Sequence, residues 1–134
     1  MRLDANCIRD ILLTVEDFTA YHKWFEYRSV DKSNYPLLSK YQDHKLTYHF
    51  DQCNSYGFLK NCHIYRSGEH ISIQDLTPKG HDFIDNIRDN VVWNKVLKGL
   101  HKVGVYSLST LIQISGTVVA DLTKTAITNI INNN

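Results

Sequence analysis

Residues 43–73, DHKLTYHFDQCNSYGFLKNCHIYRSGEHISI, decide the predicted fold. The first part predicts a helix over Asp43–Tyr56, because its apolar residues recur at helical spacing and Gly57 is a natural C-terminal cap. After Gly57 the period changes from 3.6 to 2, which indicates a β-hairpin that turns at Ser67-Gly68. The apolar positions are Leu46, Phe50 and Cys53 in the helix and Phe58, Cys62, Ile64, Ile71 and Ile73 in the hairpin.

The preceding residues predict two helices and a strand. Asp4 is a favourable N-cap for an amphipathic helix that runs to about Phe18. The aromatic segment Lys23–Val30 predicts a short strand, and Pro36 begins a short helix that reaches Tyr41. The polar pair Gln42-Asp43 then separates this short helix from the next one, which is the pattern of a helix-turn-helix.

Three more helices are predicted after the hairpin. Thr77-Pro78 is an N-cap followed by a first-turn proline, an apolar stripe over Val92–Leu100 precedes Gly104, and Ser107 caps a long final helix. The fold class is therefore α+β, mostly α: a winged helix-turn-helix of helix, strand, helix, helix, β-hairpin and helix, with a C-terminal two-helix extension. We expect one compact unit with the winged helix at 1–90, the extension at 91–131 and a frayed tail at 132–134.

Composition is that of one ordinary folded domain. The chain has 134 residues, of which 43% are hydrophobic and 22% charged, so it has enough apolar side chains for a core. The start of the chain is charged and no apolar run reaches the roughly 18 residues of a membrane span, so we expect a cytoplasmic protein. Three cysteines without a close pair indicate reduced, mostly buried thiols.

The charge distribution argues against a protein that coats nucleic acid. The net charge is only +1, whereas non-specific binding to phosphates needs a concentrated basic surface. The positive charge is concentrated towards the C-terminus, because residues 91–134 contain four lysines and only one acidic residue. These lysines are Lys95, Lys98, Lys102 and Lys124, and the acid is Asp121.

Several phrases of the sequence resemble an uncharacterised family of small proteins that is common in phages and prophages of Gram-positive bacteria. The phrases are DANCIRDILLTVE at 4–16, LTYHFDQCNSYGFL at 46–59, LTPKGHDFIDNIRD at 76–89 and VWNKV at 92–96. The resemblance implies a winged-helix fold and a mobile-element setting, and it implies no established activity. The sequence departs from related winged-helix regulators in the long aromatic stretch over 18–35 and in Asp51 on the exposed helix face.

Two binding functions are compatible with this pattern. The exposed face of the helix at 43–56 fits a DNA major groove, where polar side chains bond base edges or phosphates, and Arg66 at the hairpin turn can contact a phosphate. The candidate residues are Lys45, Thr47, Tyr48, Gln52, Ser55, Arg66 and His70. Our leading hypothesis is a regulatory module that binds double-stranded DNA. The alternative is a protein-interaction module that inhibits or redirects a host or mobile-element protein. In that case the polar helix face is the solvated side of an amphipathic helix, as in winged helices that bind proteins, and Ser67-Gly68 is an ordinary hairpin turn.

Metal and catalytic functions have weaker support. His49 and Cys53 lie four residues apart and could share zinc with Cys62, His63 or His70, but no paired ligand spacing accompanies them, so we predict core side chains and no metal. No histidine lies in a recognisable catalytic constellation and no glycine-rich phosphate loop occurs, so we predict neither an enzyme nor a cofactor. The apolar stripe from Leu108 to Ala126 can pack within the domain or form a two-fold interface, and we favour a homodimer.

Overall fold

The computed structural model describes residues 1–133 of the chain. It is an α+β structure, mostly helical, with two small antiparallel sheets. Its helices are α1 (Ala5–Phe18), α2 (Asp43–Ser55), α3 (Pro78–Ile87), α4 (Asn90–Val103) and α5 (Leu108–Asn132). Its strands are β1 (Phe25–Arg28), β2 (Leu59–Lys60), β3 (His63–Tyr65), β4 (His70–Ile73) and β5 (Asp75–Leu76).

The chain divides into two compact units, Met1–Ile84 and Asp85–Asn134. The first unit holds the elements from α1 to β5 and most of α3, and the second holds α4 and α5. No helix within residues 1–133 combines the length and the apolar character needed to cross a membrane.

The predicted helix caps are confirmed. Asp4 accepts a hydrogen bond from the Cys7 amide at the start of α1, and Ser107 accepts one from the Thr110 amide at the start of α5. Gly104 ends α4 with a φ of 73°, a left-handed conformation in which a side chain would be strained. Local sequence therefore fixes where these helices begin and end.

The prediction of a short helix from Pro36 to Tyr41 is wrong. A 3₁₀ helix occupies Ser29–Asn34 instead, and the segment after Pro36 is a series of turns in which the Leu38 and Ser39 amides both bond to the Tyr35 carbonyl. The apolar residues that suggested a helix are buried nonetheless, because the turns place Leu38 and Tyr41 in the core. The helix predicted to precede α2 in a helix-turn-helix is therefore replaced by turns.

The predicted hairpin forms in two parts. β3 and β4 pair antiparallel about the predicted turn at Ser67-Gly68, while β2 pairs with β5 in a separate two-stranded sheet. The first arm is interrupted at Asn61, whose φ of 51° is left-handed and ends β2 before β3 begins. β1 joins the other edge of β4, which gives a three-stranded sheet of order β1-β4-β3.

The core of the first unit lies between the helices and the inner face of the three-stranded sheet. Phe25 and Tyr27 of β1 contact Phe50 of α2, with ring centroids 6.3 and 5.7 Å apart. Ile71 and Ile73 of β4 are fully buried on the same face. This packing fixes α2 and the three-stranded sheet against each other, and with them the side chains on their outer surfaces.

In the second unit α4 and α5 pack against each other. Trp93, Val96 and Leu100 of α4 and Leu108 and Leu111 of α5 are buried. The described part of the predicted tail is ordered as helix, because α5 continues to Asn132 and Asn133 is its C-cap; Asn134 lies outside the described residues.

Candidate functional site

Two of the predicted binding residues on α2 are used by the fold itself. The Lys45 ammonium lies 2.7 Å from the Asp4 carboxylate and also stands over the Tyr41 ring, 5.5 Å from its centroid. The Thr47 hydroxyl donates to the Asp43 carbonyl at 3.0 Å, which is an ordinary intrahelical bond. These contacts join α1, the turn at Tyr41 and α2, so both residues have a structural explanation.

The remaining polar residues of α2 form a surface that we call the polar stripe: His44, Tyr48, Asp51, Gln52 and Ser55. None of these side chains makes a hydrogen bond or ion pair within residues 1–133, and all are exposed or half-buried. Positions 44, 48, 52 and 55 are spaced by four, four and three residues, so they follow one face over about 16 Å of helix. The stripe is therefore a continuous polar surface that the fold does not use.

The hairpin tip, Arg66–Gly68, is fixed against α2. All three of its residues have left-handed backbone, with φ values of 50°, 56° and 101°. A side chain at Gly68 would collide with the Thr47 hydroxyl, so only glycine permits this approach. No ion pair within residues 1–133 holds the Arg66 guanidinium, so the tip presents a free cation beside α2.

Beside the tip is a groove of about 770 Å³ on the outer face of the three-stranded sheet. The strand register places Arg28, His70 and Tyr65 in one row across the sheet, and Glu26, Ser72 and His63 in the next. We call this surface the sheet groove; it is lined by Glu26, Arg28, Ser29, Val30, Tyr65, Arg66, Glu69, His70 and Ser72. The structure thus brings Arg66 and His70 together here, apart from the polar stripe residues.

Glu26 organises the floor of the sheet groove. One carboxylate oxygen lies 2.7 Å from His70 Nε2 and the other accepts the Ser72 hydroxyl at 2.9 Å. Partial burial alone would raise the pKa of Glu26, but the hydrogen bonds from His70 and Ser72 outweigh it, and the pKa is below its usual value. Glu26 therefore stays ionised and holds the His70 ring beside Tyr65, its cross-strand neighbour, with ring centroids 5.1 Å apart and planes at 28°.

Most of this surface was not predicted from the sequence. Glu26, Arg28, Tyr65 and Ser72 were not singled out, although the alternation Phe25-Glu26-Tyr27-Arg28 signals one buried and one exposed face. That alternation shows which side chains face outwards. It does not show which strands become neighbours, and the pairing of β1 with β4 across more than forty residues is what assembles the groove.

The residues of the zinc alternative serve other purposes. His49 is fully buried; its Nε2 accepts the Asp4 amide at 2.8 Å and its Nδ1 lies 2.7 Å from the Lys45 carbonyl. Burial also raises the pKa of Cys53 well above its usual value, which disfavours the thiolate that a metal requires. Within residues 1–133 no group of three or more His, Cys, Asp or Glu side chains is placed to hold a metal ion.

The second unit carries its own polar surface on α4. Lys95, Lys98 and Lys102 are exposed, and none of them forms an ion pair within the described residues. Together with His101 they line a shallow groove of about 760 Å³. This lysine row is the basic segment that the sequence indicated.

The family model described as a hypothetical protein, DUF2513, matches residues 2–106, and the chain belongs to this family. The matched span contains the polar stripe, the sheet groove and the lysine row, whereas α5 begins after it. No curated protein and no solved structure matches the chain.

Proposed function

We propose that this member of the DUF2513 family is a phage- or prophage-type winged-helix module that binds duplex DNA in the cytoplasm of a bacterial host and acts in regulation. The observation that carries the proposal is the polar stripe of α2. Its side chains bond to nothing in the described chain, although other polar groups on the same helix are paired. An exposed helix face with uncommitted donors and acceptors is suited to base edges in a major groove.

The order of the elements supports the winged-helix assignment. α1, β1, α2, β3, β4 and α3 follow one another as in a winged helix, and β4 lies between β1 and β3 in the sheet. In this proposal the 3₁₀ helix Ser29–Asn34 and the turns after it replace the first helix of the helix-turn-helix. α2 then takes the place of the recognition helix, and the β3-β4 hairpin takes the place of the wing.

The contacts divide into base reading and phosphate contact. Tyr48, Gln52 and Ser55 carry donors and acceptors for base edges along the groove, which at about 12 Å is wide enough for a helix. Arg66 at the hairpin tip supplies a charge for a flanking phosphate. Asp51, on the same face, repels phosphates, so α2 must read bases with its polar stripe and leave the backbone to other residues.

Replacing Tyr48 and Gln52 together by Ala tests the reading face. We expect duplex binding to be lost while the free energy of unfolding changes by about 0.5 kcal/mol or less per site, because neither side chain is part of the buried core. Asn54→Ala is the matched control, since Asn54 is exposed on α2 away from the stripe. Binding is measured by fluorescence anisotropy on random duplex and on duplex selected by the protein, between 50 and 200 mM salt, where affinity should fall steeply.

The net charge favours a second candidate function, that of a protein-interaction module. The unit Met1–Ile84 has ten basic and eleven acidic side chains, which is unfavourable for phosphate binding and suits a partner with a basic surface. Asp51→Asn separates the two functions. Loss of repulsion should strengthen duplex binding about 2- to 5-fold at low salt, whereas loss of an attractive charge should weaken binding to a basic protein.

Full duplex affinity in the Tyr48, Gln52 double variant would show that α2 is not the reading helix. The lysine row would then be the remaining candidate for duplex contact. Absence of duplex binding by the unsubstituted protein at 50 mM salt would instead reject the DNA function.

A further inference from the structure

We propose that the sheet groove is a nucleotide-binding site, in which a nucleobase stacks on Tyr65 and its phosphate is held by Arg66 and Arg28. The site lies on the three-stranded sheet and is separate from the polar stripe, so it goes beyond the duplex-binding function. The ligand is a nucleotide unit, either free or as part of a single strand.

The stacking surface is prepared by the sheet. Tyr65 is 47% exposed, and the rings of His63 and His70 lie near-parallel to it, at centroid distances of 6.2 and 5.1 Å and interplanar angles of 28° each. Near-parallel rings on the open face of a sheet are the arrangement on which exposed bases stack. Glu26, in the neighbouring row of the same sheet face, contacts the His70 ring at 2.7 Å, so the surface is ordered before a base arrives.

The charges of the groove match the polar parts of a nucleotide. Arg28 is the cross-strand neighbour of His70, and Arg66 directly follows Tyr65, so the two guanidinium groups flank the aromatic row. Arg66 has no ion pair in the described chain, and guanidinium groups bind phosphate through two parallel hydrogen bonds. Glu69 also lines the groove without an ion pair, and its carboxylate is an acceptor for a ribose hydroxyl or an exocyclic amine.

Volume and rigidity agree with a small aromatic ligand. A space of about 770 Å³ lies within the range of roughly 300 to 1,000 Å³ that is usual for small-molecule sites. The left-handed backbone at Arg66 and Ser67 is strained for residues with side chains, and contact between Gly68 and Thr47 keeps it in place. The hairpin tip therefore holds Arg66 at the rim of the groove.

Calorimetric titration of the whole protein with AMP, with a single-stranded eight-nucleotide DNA and with a duplex of the same length tests the proposal. We expect saturable binding of at least one of the first two, and Tyr65→Ala should weaken it by roughly 5- to 150-fold, the range for loss of one base-aromatic stack. Arg66→Ala should weaken binding of the same ligand and reduce the salt dependence of that binding. Tyr21→Ala and Arg2→Ala, at exposed positions outside the groove, are the matched controls.

The outcomes also separate this proposal from the proposed function. Binding of AMP identifies a free nucleotide as sufficient, and binding of the single strand alone identifies a nucleic acid strand as the ligand; both support the site. The Tyr48, Gln52 double variant should retain this binding even if duplex binding is lost. No binding of AMP up to 5 mM together with no binding of the single strand, or binding that Tyr65→Ala leaves unchanged, would overturn the proposal.

Discussion

The two units of the chain differ in how many lysines form ion pairs and in where apolar side chains are exposed. In Met1–Ile84, three of the six lysines pair with carboxylates, as Lys45 does with Asp4 and Lys40 with Asp10, and large aromatic residues lie in the core. In Asp85–Asn134, the lysine row is unpaired and the end of α5 exposes isoleucines. The first unit therefore pairs part of its positive charge, whereas the second has a row of unpaired lysines on α4 and a group of exposed isoleucines at the end of α5.

The largest effect expected from this difference is on stability. Phe50→Ala removes a fully buried ring that packs on Phe25 and Tyr27, so it should lower the free energy of unfolding by about 3 to 5 kcal/mol. Ile130→Ala in α5, where the residue is 63% exposed, should change it by about 0.5 kcal/mol or less. Urea unfolding followed by circular dichroism measures both, and equal losses would contradict the contrast between the units.

Local signals were sufficient to predict most helices. Each of these signals acts within a few residues and can therefore be recognised from the sequence alone: the caps Asp4, Gly57 and Ser107, and the apolar spacing of α2. The segment Pro36–Tyr41 shows the limit of this reasoning. Its apolar spacing reflects burial of Leu38 and Tyr41, and the Tyr41 hydroxyl bonds to Asp10 of α1 at 2.6 Å, a distant contact that stabilises turns where a helix was predicted.

The site was predictable only in part, for the same physical reason. The outward face of α2 follows from helical periodicity, and with it the polar stripe. Which polar residues on that helix are already paired depends on distant partners, such as Asp4 for Lys45. The sheet groove depends on β1 meeting β4, and strand pairing at long sequence separation leaves no local pattern.

Acidification should weaken the first unit through its buried histidine. Burial lowers the pKa of His49, and its Nε2 accepts the Asp4 amide, so the neutral ring is the form that fits. The unfolded chain binds a proton near pH 6.5 and the folded chain binds it only at lower pH, so the contribution of His49 to stability is constant above pH 6.5 and falls below it, by at most ~1.4 kcal/mol per pH unit. The lowered pKa of Asp4 adds a loss of stability only at still lower pH, below the ordinary aspartate pKa of 3.8.

Amide hydrogen exchange corrected for intrinsic rates can localise this effect. Between pH 7 and pH 5.5 we expect protection to decrease in α1 and α2 more than in α4. His49→Gln, which keeps an acceptor and a donor but does not titrate, should flatten the dependence of protection on pH in this interval. Equal pH dependence in the variant and the unsubstituted protein would assign the effect to another group.

Substitutions at the end of α5 should have the smallest effect on the free energy of unfolding. They should instead change the mass of the protein in solution. Its 25 residues span about 37 Å against about 21 Å for the 14 of α4, so α4 cannot cover its full length. Ile127, Ile130 and Ile131 are 51%, 63% and 67% exposed, and a short helical end is only marginally stable alone in water. We propose that a second copy covers them, because the adjoining charges, Asp121 and Lys124, are opposite and can pair across a two-fold axis.

Sedimentation equilibrium should then show a mass that rises with concentration from 15.6 kDa towards twice that value. Changing Ile127 and Ile131 together to Lys should keep the protein at the monomer mass at every concentration, because two like charges would enter the interface in each copy and the apolar contact would be lost. Changing Thr125 and Asn129 to Lys adds the same charge on the opposite side of α5 and should leave association intact, apart from an increased sensitivity to low salt. If the unsubstituted protein stays at 15.6 kDa up to millimolar concentration, or if both double variants dissociate equally, α5 is not a dimer interface and general charge repulsion explains the variants.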